Sequence, residues 1–211
     1  MTPDPDNRLA QQIAFLLEAD KLKAILRRTP LTDASRPENS AEHSWHLMLA
    51  AIVLAECVTS QVDLLRVLEL LAVHDLVEVD AGDTFAYDAG HLGTKAERER
   101  AAADRIFALL PPDQGARLRA RWEEFEAHET AEARFANALD RLQPLLQNAC
   151  AGGGSWRDHE LTREQVLSRM DPIRSTMPAL WPRVLEIIEA FCASGVLRGD
   201  TPAAAPSGGQ R

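Results

Sequence analysis

The spacing of hydrophobic residues is helical along nearly the whole chain. Near the N-terminus, Leu9, Ile13, Leu16 and Leu17 recur at three- and four-residue intervals, which is the spacing of one face of a helix. Alternating runs that would indicate strands are few, and only 5% of the residues are aromatic. The pattern therefore predicts an all-α fold, a bundle of helices whose apolar faces pack together.

Capping residues, prolines and glycines divide this pattern into separate helices. Residues 29–39 are polar and contain two prolines, so they predict a loop, and Ser40 is predicted to cap the helix that follows. Asp63 is predicted to cap the next helix, which is expected to continue to Gly82. Thr94 and Thr162 lie in sequences of capping-box form, so each is predicted to begin a helix. Further helices are predicted over 118–127, 129–149 and 182–196. The glycines at 152–154 are expected to end the helix over 129–149.

The length of the chain fits one domain. Its 211 residues are enough for one hydrophobic core and too few for two comfortable ones. Residues 1–198 are therefore expected to form a single domain, followed by a disordered Pro/Ala/Gly-rich tail over 199–211. No apolar run is long enough to span a membrane, and the N-terminus lacks the pattern of a signal peptide, so we expect a cytoplasmic protein with no membrane partner.

Charge and cysteine content exclude several classes of function. The net charge of −9 argues against a nucleic acid polymer as the ligand, although a metal and one or two arginines could neutralise a small phosphate ester locally. Cys57, Cys150 and Cys192 are too widely spaced for a disulfide framework or a CxxC metal site. Their apolar neighbours predict buried free thiols.

An adjacent histidine and aspartate, His74 and Asp75, interrupt an apolar run over 70–77. Such a pair must be hydrogen-bonded, ion-paired or bound to a metal to offset its desolvation. His43 upstream and Asp140 downstream lie on other predicted helices. Two imidazoles and two carboxylates form a mixed nitrogen and oxygen ligand set that suits a first-row divalent ion. The sequence therefore predicts a metal site in a groove between helices.

The order of these four residues resembles that of the HD superfamily of metal-dependent phosphohydrolases. Three segments are similar to its 5′-deoxynucleotidase branch, and together they span residues 20–150. They are Ser-Ala-Glu-His-Ser at 40–44, His-Asp-Leu-Val-Glu at 74–78 followed by Gly-Asp at 82–83, and Asn-Ala-Leu-Asp-Arg-Leu at 137–142.

The resemblance implies an all-α HD-domain bundle with a metal site between its helices. It assigns one divalent metal ion (Mn, Co, Mg, Ni, Fe or Zn) to four ligands: His43, His74, Asp75 and Asp140. It also matches Glu78 and Asp83 to the acid/base carboxylates of the family. Such a carboxyl group can supply the proton that a leaving alkoxide requires. Taken singly, Glu78 could instead be a solvated helix residue and Asp83 a turn former.

Two arginines are candidates for binding the substrate phosphate. Arg28 lies fifteen residues before His43, the spacing at which the nucleotidase relatives place a phosphate-binding arginine. Those relatives have a tryptophan next to it, whereas this chain has Thr29, so we expect looser discrimination between ribose and deoxyribose. Arg36 is the second candidate, because guanidinium groups bind phosphate in a bidentate manner.

The leading functional hypothesis is a phosphohydrolase that converts small phosphate monoesters, above all (deoxy)nucleoside 5′-monophosphates, to nucleoside and phosphate. Three alternatives stay open: a nucleotide pyrophosphohydrolase of the alarmone type, a dinuclear oxygenase of the same fold, and a catalytically silent HD regulatory module. A dinuclear site would use His91 and His128, for which the nucleotidase-like branch has no counterpart. Relatives are often dimers, so a homodimer is expected.

Overall fold

The computed structural model describes residues 5–84, 87 and 89–199, with the side chains of 5 and 89–93 excepted. Helices dominate this part of the chain, which confirms the predicted all-α class. None of its helices is both long and apolar enough to cross a membrane. The predicted tail lies outside the described residues except for Gly199. The helices are α1 (Pro5–Ala19), α2 (Ser40–Leu54), α3 (Leu64–Val73), α4 (Glu78–Ala81), α5 (Ala89–Phe107), α6 (Pro112–Ala127), α7 (Ala131–Cys150), α8 (Gly154–Asp158), α9 (Arg163–Thr176) and α10 (Trp181–Ala193).

A short antiparallel hairpin occupies the region where the sequence predicts helical spacing followed by a loop over 29–39. Its strands are β1 (Leu26–Pro30) and β2 (Pro37–Asn39), and a 3₁₀ turn over Asp20–Ala24 precedes them. A proline ends β1 and another begins β2. Prolines at these positions are compatible with a short pair of edge strands but not with the interior of a helix. Because side chains alternate along a strand, the hairpin decides which side chains of β1 face inwards.

Helix α7 lies at the centre of the larger hydrophobic core. It packs against α2, α3, α6, α8 and α9, and its Phe135, Leu139 and Leu145 are buried. A second, smaller core lies between α1, α5 and α6 and includes Phe15 and Ile106. The central position of α7 brings its polar residue Asp140 between α2 and the end of α3.

The predicted helix ends are partly right. Asp63 and Thr162 cap α3 and α9 as predicted. Helix α5 begins at Ala89 and not at Thr94. Helix α2 is capped by Asn39 and not by Ser40, since Asn39 completes a capping box with Glu42. Among the cysteines, Cys150 is exposed, and Cys57 and Cys192 are partly buried, so the prediction of buried thiols is wrong.

Candidate active site

Four predicted metal ligands come together from three elements. Helix α2 supplies His43, the turn after α3 supplies His74 and Asp75, and α7 supplies Asp140. Nε2 of His43 lies 2.9 Å from Oδ1 of Asp140 and 3.9 Å from Oδ2 of Asp75. Nε2 of His74 lies 3.1 Å from Oδ1 of Asp75. Both imidazoles are buried.

Helix α3 does not continue through His74 and Asp75. The predicted helix to Gly82 is wrong here: α3 ends at Val73, and residues 74–77 form tight turns before the short helix α4. The amide of Glu78, for example, donates to the carbonyl of Asp75 at 2.9 Å. Because consecutive side chains of helical turns diverge by about 100°, the two residues can reach a common ion only in a groove between elements.

The hydrogen bonds of the two imidazoles fit a divalent metal. Nδ1 of His43 donates to Oε1 of Gln143 at 3.0 Å, and Nδ1 of His74 donates to the carbonyl of Leu71 at 2.9 Å. This arrangement leaves both Nε2 atoms directed towards the carboxylates, as in proteins where an acceptor fixes the tautomer of a metal-binding histidine. Among the described residues, Nε2 of His74 is buried and makes no well-aligned hydrogen bond, although Oδ1 of Asp75 lies 3.1 Å away. A buried imidazole nitrogen that faces a carboxylate in this way is a suitable position for a metal ligand.

The charges of the ligands stabilise one another strongly. Burial opposes the charge on His74, but the Asp75 carboxylate raises the pKa of His74 to about 9. Burial also opposes the charge on Asp75, whose pKa is nevertheless lowered to about 2 by His74 and Arg27. For Asp140, the cost of burial is outweighed by Arg141 and His43, which hold its pKa well below the usual range. Both carboxylates are therefore ionised at neutral pH, as a cation requires.

Arg27 is a site residue that was not predicted from the sequence. Its Nη1 donates to Oδ2 of Asp75 at 2.8 Å, and its Nη2 lies 4.0 Å from Oδ1 of Asp140. The side chain is only 13% exposed. A prediction of strand β1 would have raised the question of which arginine faces inwards, because neighbouring residues on a strand point in opposite directions.

A buried network behind His43 was not predicted either. Glu38 of β2 is buried and accepts hydrogen bonds from Nε2 of Gln143 and Nε2 of Gln147, both at 2.7 Å. The two glutamines follow Asp140 by three and seven residues, which places all three on one face of α7. This spacing was a visible signal in the sequence. The network holds Oε1 of Gln143 against the His43 ring.

The two predicted acid/base carboxylates lie beside the ligands. Glu78 and Asp83 line one cavity of about 300 Å³ together with His74, Asp75 and Asp140. Burial, followed by the charge of Asp75, raises the pKa of Glu78 well above its usual value. Burial likewise raises the pKa of Asp83. A raised pKa favours the protonated form of a carboxyl group, which is the form that can donate a proton to a leaving oxygen.

The family of the chain can now be stated. A family described as the HD domain matches residues 19–181, which include all four ligand positions. The chain belongs to the HD domain family. Human 5′-deoxynucleotidase HDDC2 is 32% identical over 137 residues, and the bovine protein of the same name is 31% identical. Each alignment covers 63% of this chain, but only 66% and 65% of the relatives' own length, slightly less than two thirds.

Solved structures agree with this assignment. A crystal structure from Magnetospirillum magnetotacticum MS-1, described as a predicted metal-dependent phosphohydrolase, is 50% identical with a TM-score of 0.88. The match covers 93% of this chain and 99% of that one. A conserved hypothetical protein from Pyrococcus furiosus is 23% identical with a TM-score of 0.58, over 84% of this chain and 99% of its own. At that identity the second match shows the fold alone.

The two predicted phosphate-binding arginines occupy different positions in this HD domain. Arg28 and its neighbour Thr29 line the cavity that contains the ligands. Arg36 is not among the described residues that line it, and its guanidinium instead contacts Glu42 at 2.7 and 2.9 Å. The structure therefore brings Arg28, but not Arg36, to the other site residues.

A second metal position has no support from the described residues. In this part of the HD domain, one group of histidine and acidic side chains, His43, His74 and Asp75, has ligand atoms that all lie within 4.8 Å of one another, and Asp140 adjoins this group through Nε2 of His43 at 2.9 Å. His128 lines the cavity, but its Nε2 accepts a hydrogen bond from Asn137. The side chain of His91 lies outside the described residues.

The glycines that end α7 allow α8 to pack closely against the site. A Cβ atom at Gly154 would lie 2.5 Å from Oδ1 of Asn148 and 2.8 Å from Cγ of Pro30. The same Asn148 oxygen accepts hydrogen bonds from the amide and hydroxyl of Ser155, at 2.8 and 3.0 Å. Because of this approach, Ser155 and Trp156 form one wall of the cavity. The sequence pattern predicts these glycines only as a helix stop.

Proposed function

We propose that this HD domain is a metal-dependent phosphohydrolase that hydrolyses small phosphate monoesters, most specifically (deoxy)nucleoside 5′-monophosphates. The observation that carries the proposal is a cavity lined by His74, Asp75 and Asp140 together with two carboxyl groups of raised pKa, with Nε2 of His43 lying 2.9 Å from Asp140. The name of the curated relatives, 5′-deoxynucleotidase, supports the nucleotide. A cavity of about 300 Å³ is at the small end of ligand pockets and suits a small ester.

The four ligands would hold one divalent ion. When bound, such an ion supplies Lewis acidity towards a phosphoryl oxygen and lowers the pKa of a coordinated water. Arg27 holds the Asp75 carboxylate, and Gln143 holds the His43 ring, so both ligands are oriented before an ion arrives. The donor set fits Mn, Co, Mg, Ni, Fe or Zn.

Glu78 is the proposed source of the proton for the leaving group. Its Oε2 accepts a hydrogen bond from the hydroxyl of Ser40 at 2.6 Å, which fixes the carboxyl group. As water adds to phosphorus and the ester P–O bond breaks, Glu78 would protonate the departing nucleoside oxygen. Asp83 would share this proton transfer, and Arg28 would neutralise the phosphate.

Release of inorganic phosphate tests the proposal. Metal-depleted protein should be supplied with each of the six metals and assayed on matched ribo- and deoxyribonucleoside 5′-monophosphates, a generic monoester and a pyrophosphate-linked nucleotide. We expect release from the monophosphates, and loss of both metal and activity in Asp140→Asn. Hydrolysis of the pyrophosphate-linked nucleotide alone, or of no phosphate ester, would reject the proposal.

A homodimer is the proposed assembly. One face of α2 carries four exposed apolar side chains, Trp45, Leu49, Ile52 and Val53. Contiguous exposed apolar surface of this kind marks interaction sites. Sedimentation should therefore give a dimer for the wild type and a monomer for Ile52→Asp. Leu65→Asp, which alters an exposed leucine of α3, is the matched control and should remain dimeric.

A further inference from the structure

The cavity contains cationic side chains that form no ion pair with a carboxylate among the described residues. Within the described part of the chain, Arg28 and Arg169 line the cavity without an ion pair to any carboxylate. Three other cations of the cavity are paired: Arg27 with Asp75 at 2.8 Å, Arg141 with Asp140 at 2.6 Å and Lys95 with Glu99 at 3.3 Å. Arg28 is available for the phosphate that is hydrolysed. Arg169 therefore remains without a counter-ion.

The surroundings of Arg169 favour an anion. Burial and the nearby guanidinium of Arg141 lower the pKa of Arg169 to about 10, although Asp140 and Tyr87 act in the opposite direction. A partly buried cation beside another cation is destabilised until an anion reaches it. Arg141 can contribute to such a site, because a guanidinium has five N–H donors and Asp140 occupies only part of them.

Arg169 lies on a different side of the site from Arg28. Arg28 belongs to β1, whereas Arg169 belongs to α9, which packs against α7. Arg141 and Arg169 also line an adjoining surface groove of about 610 Å³, which Arg28 does not reach. Arg169 therefore lies where the cavity meets this groove, so that a group extending from the cavity into the groove would pass its guanidinium.

We propose that Arg169, together with Arg141, binds a second anionic group on the leaving side of the substrate. The inference rests on the proposed hydrolysis of phosphate monoesters and narrows the substrate class. Preferred substrates are phosphate monoesters whose alcohol part carries another phosphate or a carboxylate. Among nucleotides this class is the nucleoside bisphosphates, in which one phosphate is hydrolysed and the other is held.

The kinetic test compares a nucleoside 3′,5′-bisphosphate with the matching 5′-monophosphate. For one charge-assisted contact we expect the wild type to favour the bisphosphate by about 10- to 100-fold in kcat/KM. Arg169→Gln should lose this preference, so that the two substrates have similar kcat/KM values in the variant, while Arg169→Lys should retain part of it. The control is Arg183→Gln, which removes an exposed arginine of α10 paired with Glu186 and should behave as wild type.

A binding test does not depend on catalysis. Calorimetry on metal-depleted protein should show that a nucleoside 3′-monophosphate binds more tightly than the nucleoside, and that Arg169→Gln removes the difference. Equal losses on both kinetic substrates would mean that Arg169 contacts the hydrolysed phosphate, which would overturn the inference, as would no loss on either. If the wild type hydrolysed neither ester, the proposed function would fail, whereas the calorimetric comparison would still decide whether the anion subsite exists.

Discussion

Gln143 holds His43 in the orientation that a metal ligand needs: its Oε1 accepts the Nδ1 hydrogen at 3.0 Å. The same amide donates from Nε2 to the buried Glu38, so its own orientation is fixed. Such partners of ligating histidines set the tautomer and the basicity of the nitrogen that faces the metal. The hydrogen bonds of Gln143 therefore connect β2, α2 and α7 at the proposed coordination position of His43.

Gln143→Leu should weaken metal binding by about 10- to 100-fold, because it removes the acceptor that orients His43. The measurement is a competition titration against a metal-binding dye. Gln147→Leu is the matched control, since it breaks a hydrogen bond to the same Glu38 but none to His43. Equal losses of metal affinity in both variants would show that the affinity depends on the Glu38 network and not on the orientation of His43.

Metal binding should release a proton from His74. The pKa of His74 is raised to about 9, so below that pH the metal-free protein holds a proton on this imidazole. A raised pKa stabilises the metal-free fold at low pH, and this contribution is lost as the pH rises through about 9. The proton must leave before Nε2 can bind a metal, so the apparent affinity should rise about tenfold per pH unit between about 7 and 8.5.

Calorimetry at pH 7 in two buffers of different ionisation enthalpy measures this release directly. The difference between the two heats should correspond to about one proton per metal bound. A release near zero, together with an affinity that does not change with pH, would contradict the pairing of His74 with Asp75 in the metal-free protein.

The four proposed ligands could be singled out from the sequence, but the inward-facing arginine could not. His43, His74, Asp75 and Asp140 follow a fixed order and interrupt apolar helical patterns, so desolvation alone indicates that they need partners. Strand β1 is short and mostly polar and ends in a proline, and it carries no hydrophobic alternation that would reveal it. Without the strand, Arg27 and Arg28 could not be distinguished.

Helix boundaries show a similar contrast. The caps at Asp63 and Thr162 are local interactions between a side chain and a nearby amide, so they are visible in the sequence. No local sequence signal marks the end of α3 at Val73, because residues 70–77 are apolar apart from the His-Asp pair and would suit a continuing helix. That turn depends on the packing of α3 against α2 and α7.

Glu78→Gln should keep the fold and the metal but lower kcat by about 10²–10⁴, because an amide cannot transfer the proton. A glutamine at this position also avoids the free-energy cost of burying a charged carboxylate. Since the pKa of Glu78 is raised, ionisation of this group destabilises the metal-free protein increasingly above pH of about 4. In the presence of a chelator, the Tm of the variant should match that of the wild type near pH 4 and exceed it at pH 7. Wild-type turnover in the metal-loaded variant would refute the assigned role.

Gly154→Ala should lower the free energy of unfolding by about 1–3 kcal/mol, because the new Cβ would collide with Asn148 and Pro30. The positive φ of this residue contributes a further strain of about 1–2 kcal/mol. Gly195→Ala separates the two effects, since that glycine also has a positive φ but no atom within 4 Å of the position that a Cβ would take. Urea denaturation of both variants provides the comparison, and equal losses would leave no role for the close approach of α8 to β1.

Arg28→Gln and Arg27→Gln should have distinct effects, although the residues are adjacent. Arg28 is exposed and lines the cavity, so its loss should raise KM for dianionic monoesters with little change in Tm. Higher salt should weaken substrate binding more in the wild type than in this variant, because the variant lacks one charge contact. Arg27 is bound to Asp75, so its loss should weaken metal binding and lower the Tm, since a buried carboxylate loses its partner. A raised KM in Arg27→Gln with full metal content would reverse the roles of the two arginines.

Thr29 should allow similar kcat/KM values on matched ribo- and deoxyribonucleoside 5′-monophosphates. It lines the cavity next to Arg28, at the position where the resemblance to the 5′-deoxynucleotidase branch implies a tryptophan against the sugar. Because a threonine is much smaller than an indole, it leaves more room around the sugar and restricts a 2′-hydroxyl less. Steady-state kinetics on both nucleotide series measures the ratio, and a deoxyribonucleotide preference of a hundredfold or more would contradict the expectation.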